Sequence, residues 1–153
     1  KLKGLWLAED AAAVDGVLGD QGPDALTVDR AGFDRALRGR RARVKSVLTD
    51  QSALAGLGNL LADEILWRAR LHPGVSADAL DDDERRRLYA DMRRVLRDAV
   101  RSGRVPPYAD WLTGRRRGAG QRCPRCGTQL ARGRVAGRST VWCPACQPAR
   151  AAG

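Results

Sequence analysis

Four cysteines carry the plainest chemistry in this 153-residue chain. Cys123 and Cys126 form one C-x2-C pair and Cys143 and Cys146 a second, with sixteen residues between the pairs. That spacing lets four thiolates converge on one tetrahedral ion. Gly127, just after the first pair, can relieve the backbone strain of such a turn. Two disulfides are the competing use of four cysteines. The opening residues from Lys1 to Trp6 lack the long apolar stretch of a secretory signal, however, and the symmetric pairing favours metal. The expectation is one structural Zn2+ held by Cys123, Cys126, Cys143 and Cys146. Four thiolates leave no open position for a reactive water, so the ion is expected to hold shape and not to catalyse. His72 is the only histidine and lies far from the cysteines in sequence, which also makes a Ser-His-Asp or Cys-His hydrolytic site improbable.

The elements that must position these thiolates follow from pattern. Residues 129–141, with Gly133 and Gly137 among them, read as a β-hairpin between the two knuckles. Val135, Val141 and Trp142 give it almost no apolar core, so metal binding on the order of 10 kcal/mol would supply most of its folding energy. Upstream the pattern is helical. From Asp29, Phe33, Ala36 and Leu37 share one face; after a break at Gly39, Val44, Val47 and Leu48 continue with helical spacing. Gly56-Leu57-Gly58-Asn59 then forces a tight turn, and Asn59 is well suited to cap the next helix. That helix is expected to turn Leu60, Leu61, Ile65 and Leu66 inward, to carry Asp63 and Glu64 near its positive end, and to stop at His72-Pro73-Gly74. Asp81 and Glu84 are spaced as a capping box for a longer helix whose buried face is Leu88, Met92, Val95, Leu96 and Ala99, closing near Ser102-Gly103.

The fold class expected is therefore mainly α, a helical domain followed by a small zinc-stapled hairpin finger. In order, residues 1–28 read as the end of an incomplete preceding domain and its linker, 29–103 as the helical domain, 104–121 as a loop-like basic linker, 122–147 as the finger and 148–153 as a disordered tail. Charge points to the partner. Lys and Arg number 28 against 18 Asp and Glu, for a formal charge of +10, a balance that suits a polyanion. The excess is concentrated, because residues 103–153 hold ten Arg and one acid, Asp110. No stretch approaches the roughly 18 consecutive apolar residues of a membrane span. A monomeric, cytoplasmic, nucleoid-associated protein without a membrane partner is expected, and a first residue of Lys rather than Met favours a piece of a larger protein.

Several blocks in order resemble the C-terminal half of the formamidopyrimidine-DNA glycosylase and endonuclease VIII family. They are Gly22-Pro23-Asp24-Ala25-Leu26, Val44-Lys45, the segment from Asp50-Gln51 through Gly58-Asn59, Ala62-Asp63-Glu64-Ile65-Leu66, Leu71-His72-Pro73, Gly137-Arg138-Ser139-Thr140, Cys143-Pro144 and Cys146-Gln147. They span about residues 20–147. The resemblance implies a helix-two-turn-helix domain and a base-excision-repair role on double-stranded damaged DNA. It places Gly58 and Asn59 at the turn that grips a phosphate beside the damaged nucleotide, although Asn59 capping its own helix is an equal reading of the local sequence. It gives Arg138 contacts to phosphates around the extruded nucleotide and a proton-donor role in the second elimination step. Lys45 aligns with a family lysine near DNA, and with Arg40, Arg41 and Arg43 it forms a basic cluster; the DNA-binding candidates are Asn59, Gly58, Lys45, Arg41 and Arg138.

The family also uses an N-terminal Pro nucleophile, an adjacent Glu acid and a hairpin lysine, and no part of this sequence matches that block. The full-length protein so implied is a bifunctional DNA glycosylase and AP lyase with an upstream catalytic domain in cis, this chain alone being catalytically incomplete. A stand-alone, non-catalytic DNA-binding protein or zinc-ribbon interaction module is the alternative. The short segment between the helical domain and the finger leans toward an endonuclease VIII-like enzyme acting on oxidised pyrimidines.

Overall fold

Asp29 starts the first helix by accepting the Gly32 amide at 2.8 Å. Helix α1 (Arg30–Leu37) buries Phe33, Ala36 and Leu37, the face its spacing predicts. Gly39 turns the chain at φ 74°, and α2 (Val44–Leu48) buries Val44, Val47 and Leu48, with Lys45 alongside them. Helix α3 spans Asn59–Arg68. Helix α4 (Asp82–Ser102) opens on the expected capping box, Asp81 and Glu84 each closing on the other's backbone amide. It buries all five predicted core residues and ends at Gly103 with φ 71°. The computed structural model describes residues 22–103, 111–115 and 120–150; the entry segment and residues 151–153 of the tail lie outside them.

Helix α3 is the centre of the assembly. Every residue from Leu61 to Trp67 is buried, because α2, α4, the finger's second strand and a short 3-10 helix at Leu112–Arg115 all pack on it. One expectation fails here. Leu60, expected inward, is 41% exposed. Asp63 and Glu64, expected near the helix's positive end, are its fifth and sixth residues and are both buried. Glu64 pairs with Arg68 at 3.0 Å and accepts the Thr113 amide at 3.0 Å, yet burial outweighs these partners and raises its pKa. One amphipathic stripe is what hydrophobic periodicity detects; a helix covered on several sides has no such stripe.

The segment read as a basic linker is partly structural. Trp111 and Leu112 are buried, and the Arg68 guanidinium stacks 4.4 Å from the Trp111 ring centre, a geometry that favours cation–π attraction. The described start of the tail is likewise docked. Arg150 donates to the Ala79 carbonyl at 3.0 Å and pairs with Glu84.

Strands β1 (Ala131–Val135) and β2 (Arg138–Trp142) pair antiparallel, Val135 opposite Arg138 and Ala131 opposite Trp142. The hairpin loop is thus Ala136-Gly137, with φ 52° and 77°. Two successive left-handed residues match the twist of the strands, and Gly137 adopts that region without penalty. Ala136 does so against its Cβ. Ala136→Gly is expected to stabilise the chain by roughly 0.5–1 kcal/mol, the relieved strain being partly offset by unfolded-state entropy. Thermal unfolding of the zinc-loaded protein checks this, with an unchanged or lowered midpoint counting against it.

Candidate nucleic-acid interface and metal centre

The four cysteines meet at one point. Their ligand atoms all lie within 4.8 Å of one another, with Sγ separations of 3.5 Å for Cys126–Cys143, 3.7 Å for Cys126–Cys146 and 3.9 Å for Cys123–Cys146. Zn–S bonds of about 2.3 Å in a tetrahedron place the sulfurs about 3.8 Å apart, so the cluster has the dimensions of a four-thiolate zinc site. These distances are far from a bonded S–S pair, and all four cysteines are free, which answers the disulfide alternative. Backbone amides of Arg125 and Cys146 donate to Cys123 and Cys143 at 3.3 Å, the partner pattern of thiolates prepared for a cation. Thr128, 3.2 Å from Cys126 Sγ, brings that thiol down to about 6, while burial pushes Cys143 up to about 12.

This centre is not an isolated finger. The Trp67 indole N–H, on α3, donates to Cys123 Sγ at 3.3 Å. The Arg125 guanidinium, on the first knuckle, stacks 4.2 Å from the Trp67 ring and donates to the Trp67 carbonyl at 3.2 Å. Leu112, Leu130, Val141 and three of the cysteines close a second small core around Trp67. From the other side Gln147, buried, donates to the Leu71 carbonyl and accepts the Cys143 amide. The His72 ring packs edge-on against Trp142 at 5.2 Å, and its Nδ1 accepts the Gly74 amide. Burial first and the Arg43 charge second lower the His72 pKa, so the imidazole serves the turn as a neutral acceptor. Sequence reasoning missed this weld, since neither Trp67 nor Gln147 follows a spacing rule that reports on a distant partner.

Lys45 is where the structure departs most from expectation. Aligned with a lysine near DNA, it has no exposed surface. Its ammonium reaches Asp63 Oδ1 at 2.7 Å, Thr140 Oγ1 at 2.7 Å and the Ser139 carbonyl at 3.0 Å. Asp63 Oδ2 in turn accepts the Val141 amide at 3.2 Å. The pair therefore ties α2 and α3 to three consecutive residues of β2. In this geometry Lys45 is an internal strut and not a surface phosphate ligand, because all of its charge is turned toward protein oxygens.

Next to that strut lies the helix start. Gly58 is the N-cap of α3 and supplies no side chain to it; the first intrahelical bond runs from the Ala62 amide to the Gly58 carbonyl at 3.0 Å. The amides ahead of Ala62 have no intrahelical acceptor, which leaves a partial positive charge at the helix start. Gly56 needs its glycine, with φ 99°. Gly58 does not: its φ is −88° and an added Cβ would meet no protein atom within 4 Å. Asn59, expected as a possible cap, is instead the first helical residue, and its Nδ2 donates to the Ser139 carbonyl at 2.9 Å. The capping alternative is thereby replaced by a link to the finger. Arg138, one residue before Ser139, is exposed at the head of β2. The structure thus brings Gly58, Asn59 and Arg138 to one place, leaves Arg41 exposed on the α1–α2 loop, and withdraws Lys45 into the interior.

The fold and site together define a class: a helix-two-turn-helix domain welded to a four-cysteine finger, with an open helix start beside an exposed arginine. Family comparison narrows it. Residues 21–106 match the formamidopyrimidine-DNA glycosylase H2TH domain and residues 120–149 the zinc finger found in FPG and IleRS. The chain belongs to the formamidopyrimidine-DNA glycosylase family, as its H2TH and zinc-finger portion. It is 43% identical over 141 residues to the formamidopyrimidine-DNA glycosylase of Thermomicrobium roseum, covering 83% of this chain and 49% of that protein. The Heliobacterium modesticaldum enzyme of the same name is 43% identical over 145 residues, covering 84% and 51%. The chain spans about half the length of the curated relatives it matches. Among solved structures, the Lactococcus lactis Fpg complex with abasic-site DNA superposes with TM-score 0.74 at 29% identity, over 92% of this chain and 56% of that one. The complex of the same enzyme with DNA containing FAPY-dG gives 0.75 at 28% identity, over the same shares.

Lys45→Met leaves the buried Asp63 carboxylate without its counter-charge and is expected to cost about 3–5 kcal/mol of stability. Adding Asp63→Asn removes that charge while keeping an acceptor for the Val141 amide, and should recover much of the loss. Chemical denaturation of the single and double variants measures both. A double variant as unstable as Lys45→Met would mean that charge pairing is not what Lys45 contributes.

Proposed function

We propose that this chain is the DNA-gripping half of a formamidopyrimidine-DNA glycosylase with AP-lyase activity, acting on oxidised bases in double-stranded DNA on the nucleoid. One observation carries the reading: the Asn59–Ser139 bond at 2.9 Å joins the α3 helix start to the strand that carries Arg138, so the two anion-binding elements are held side by side. Extruding a nucleotide costs a few kcal/mol, and contacts preorganised on the distorted backbone offset that cost selectively. In this reading the free amides at Gly58-Asn59 take one phosphate, Arg138 straddles those around the extruded sugar, and Arg138 also supplies the proton in the second elimination step, as the family resemblance implies. The bareness of Gly58 has its reason here, since the protein itself has ample room for a side chain and an approaching phosphate does not.

A Zn2+ ion held by Cys123, Cys126, Cys143 and Cys146 would supply structural stability alone, fixing the knuckles so that β2 presents Arg138. The base-removing nucleophile and acid would come from the half of the family architecture that this chain does not match. The substrate leaning also changes. The short segment before the finger suggests oxidised pyrimidines, but the Thermomicrobium and Heliobacterium relatives carry the formamidopyrimidine name, and that favours damaged purines of the formamidopyrimidine type.

The test compares binding to a duplex with one abasic-site analogue and to the same duplex intact. Arg138→Ala should weaken abasic-site binding by about 1.5–3 kcal/mol more than intact binding, the usual worth of a charge-assisted hydrogen bond. Gly58→Ala should weaken it in the same direction, with zinc content and melting temperature unchanged in both variants. Equal losses on the two duplexes would remove the assigned role of Arg138. Borohydride trapping on abasic DNA should give no covalent adduct with this chain, and a robust adduct would place an unrecognised amine nucleophile within it.

A further inference from the structure

The loop between α1 and α2 holds four arginines in six residues, Arg38, Arg40, Arg41 and Arg43. Several arginines elsewhere in the fold are neutralised at short range. Arg30, Arg68, Arg85, Arg86, Arg94, Arg101 and Arg150 each pair with a carboxylate, most of them within one helical turn. The loop differs from these in crowding its arginines together. Among the described residues none of its four arginines forms an ion pair, and only Arg40 lies near enough to an acid, Asp50, to influence it. Arg38, Arg41 and Arg43 are exposed.

Nor is the loop a loose one. The carbonyls of Arg40 and Ala42 accept the amides of Asp78 and Ala77 at 2.9 and 2.8 Å, the Arg41 carbonyl accepts the Ser76 hydroxyl at 3.0 Å, and the Val44 amide donates to the Val75 carbonyl at 2.6 Å. A backbone held by four such bonds fixes where these side chains leave the chain, which lowers part of the ordering cost of using them. Like charges crowded on a rigid loop repel one another unless something anionic lies across them. The loop is also continuous with the site already described. Arg43 is close enough to His72 to bear on its ionisation, His72 packs on Trp142 at the end of β2, and Lys45, two residues after Arg43, holds Ser139 and Thr140.

We infer that Arg38, Arg41 and Arg43 form a phosphate rail that tracks the backbone of duplex DNA away from the Gly58–Arg138 clamp and contributes affinity without lesion preference. This rests on the DNA-gripping reading above and adds to it a division of labour, in which the clamp discriminates and the loop holds. The phosphate backbone is the occupant that matches, because guanidinium groups pair bidentately with phosphate and the rail offers no apolar surface for a protein partner.

The experiment uses the whole zinc-loaded chain and measures affinity against salt concentration for the abasic-analogue duplex and for the intact one. With Arg38, Arg41 and Arg43 all changed to Gln, the slope of log affinity against log salt should fall by roughly 0.9 for each phosphate that the variant no longer neutralises. The fall should be the same on both duplexes, leaving the abasic-to-intact ratio as in the parent. Arg86→Gln, on the exposed face of α4 and already paired with Asp83, should leave the slope unchanged. A triple variant that keeps the parental slope while Arg138→Ala still loses preference overturns the rail and spares the clamp; that is also the outcome expected if the loop serves an acidic protein instead. A triple variant that loses preference along with affinity overturns the division of labour. A parent chain that binds neither duplex defeats the underlying DNA-gripping reading itself. Zinc content and melting temperature, both expected unchanged, keep a folding defect from imitating any of these results.

Discussion

The buried ion pair between Lys45 and Asp63 is the constraint on which the rest of the arrangement depends. Two charges at 2.7 Å with almost no exposure between them are costly to desolvate, and such a pair is weak evidence for stability as such. What it specifies is position. Each partner spends its remaining hydrogen-bonding capacity on β2, Lys45 on Ser139 and Thr140 and Asp63 on Val141. A strand shifted by one residue would turn those groups away and leave both charges unsatisfied. The register of the finger against the helical domain is therefore fixed by a penalty for error, and that register decides where Arg138 stands relative to the α3 helix start.

Around this strut the two modules share a core. Trp67 is the hinge pin of the weld, buried among finger residues, stacked under Arg125 and donating to a metal-binding sulfur. A partner that donates to a ligand sulfur helps to orient that ligand, so the helical domain takes part in shaping the metal centre. The converse also holds. With so few apolar residues of its own, the hairpin would draw on a metal held by its four cysteines to keep β2 in place, and β2 is what Lys45, Asp63 and Asn59 all hold.

Much of this was legible in the sequence wherever a rule links residue type to local spacing. The cysteine pairs, the α4 capping box, the α1 and α4 apolar faces and the His-Pro turn are all of that kind. Gly58, Asn59 and Arg138 became site candidates through resemblance, and the fold brings them together. What escaped was long-range pairing. Lys45 was placed near DNA, and Asp63 and Glu64 near a helix's positive end, yet all three are buried because their partners come from elements up to 95 positions away. Trp111 and Leu112 stood between proline, glycine and arginine and so read as linker, though each caps a core. Asn59 shows the same limit on a smaller scale, since local sequence offered a cap and the tertiary structure supplied the Ser139 carbonyl.

In the DNA-gripping reading proposed for this chain, strand register set by the buried pair creates lesion preference. It is tested most directly by the ratio of abasic-analogue to intact-duplex affinity in the Lys45→Met/Asp63→Asn variant, folded and zinc-loaded. Neither residue reaches the surface, so neither substitution removes a group that touches DNA. The ratio is expected to fall toward one while affinity for intact duplex persists. A folded, zinc-loaded variant that keeps the parental ratio would contradict that role of the register.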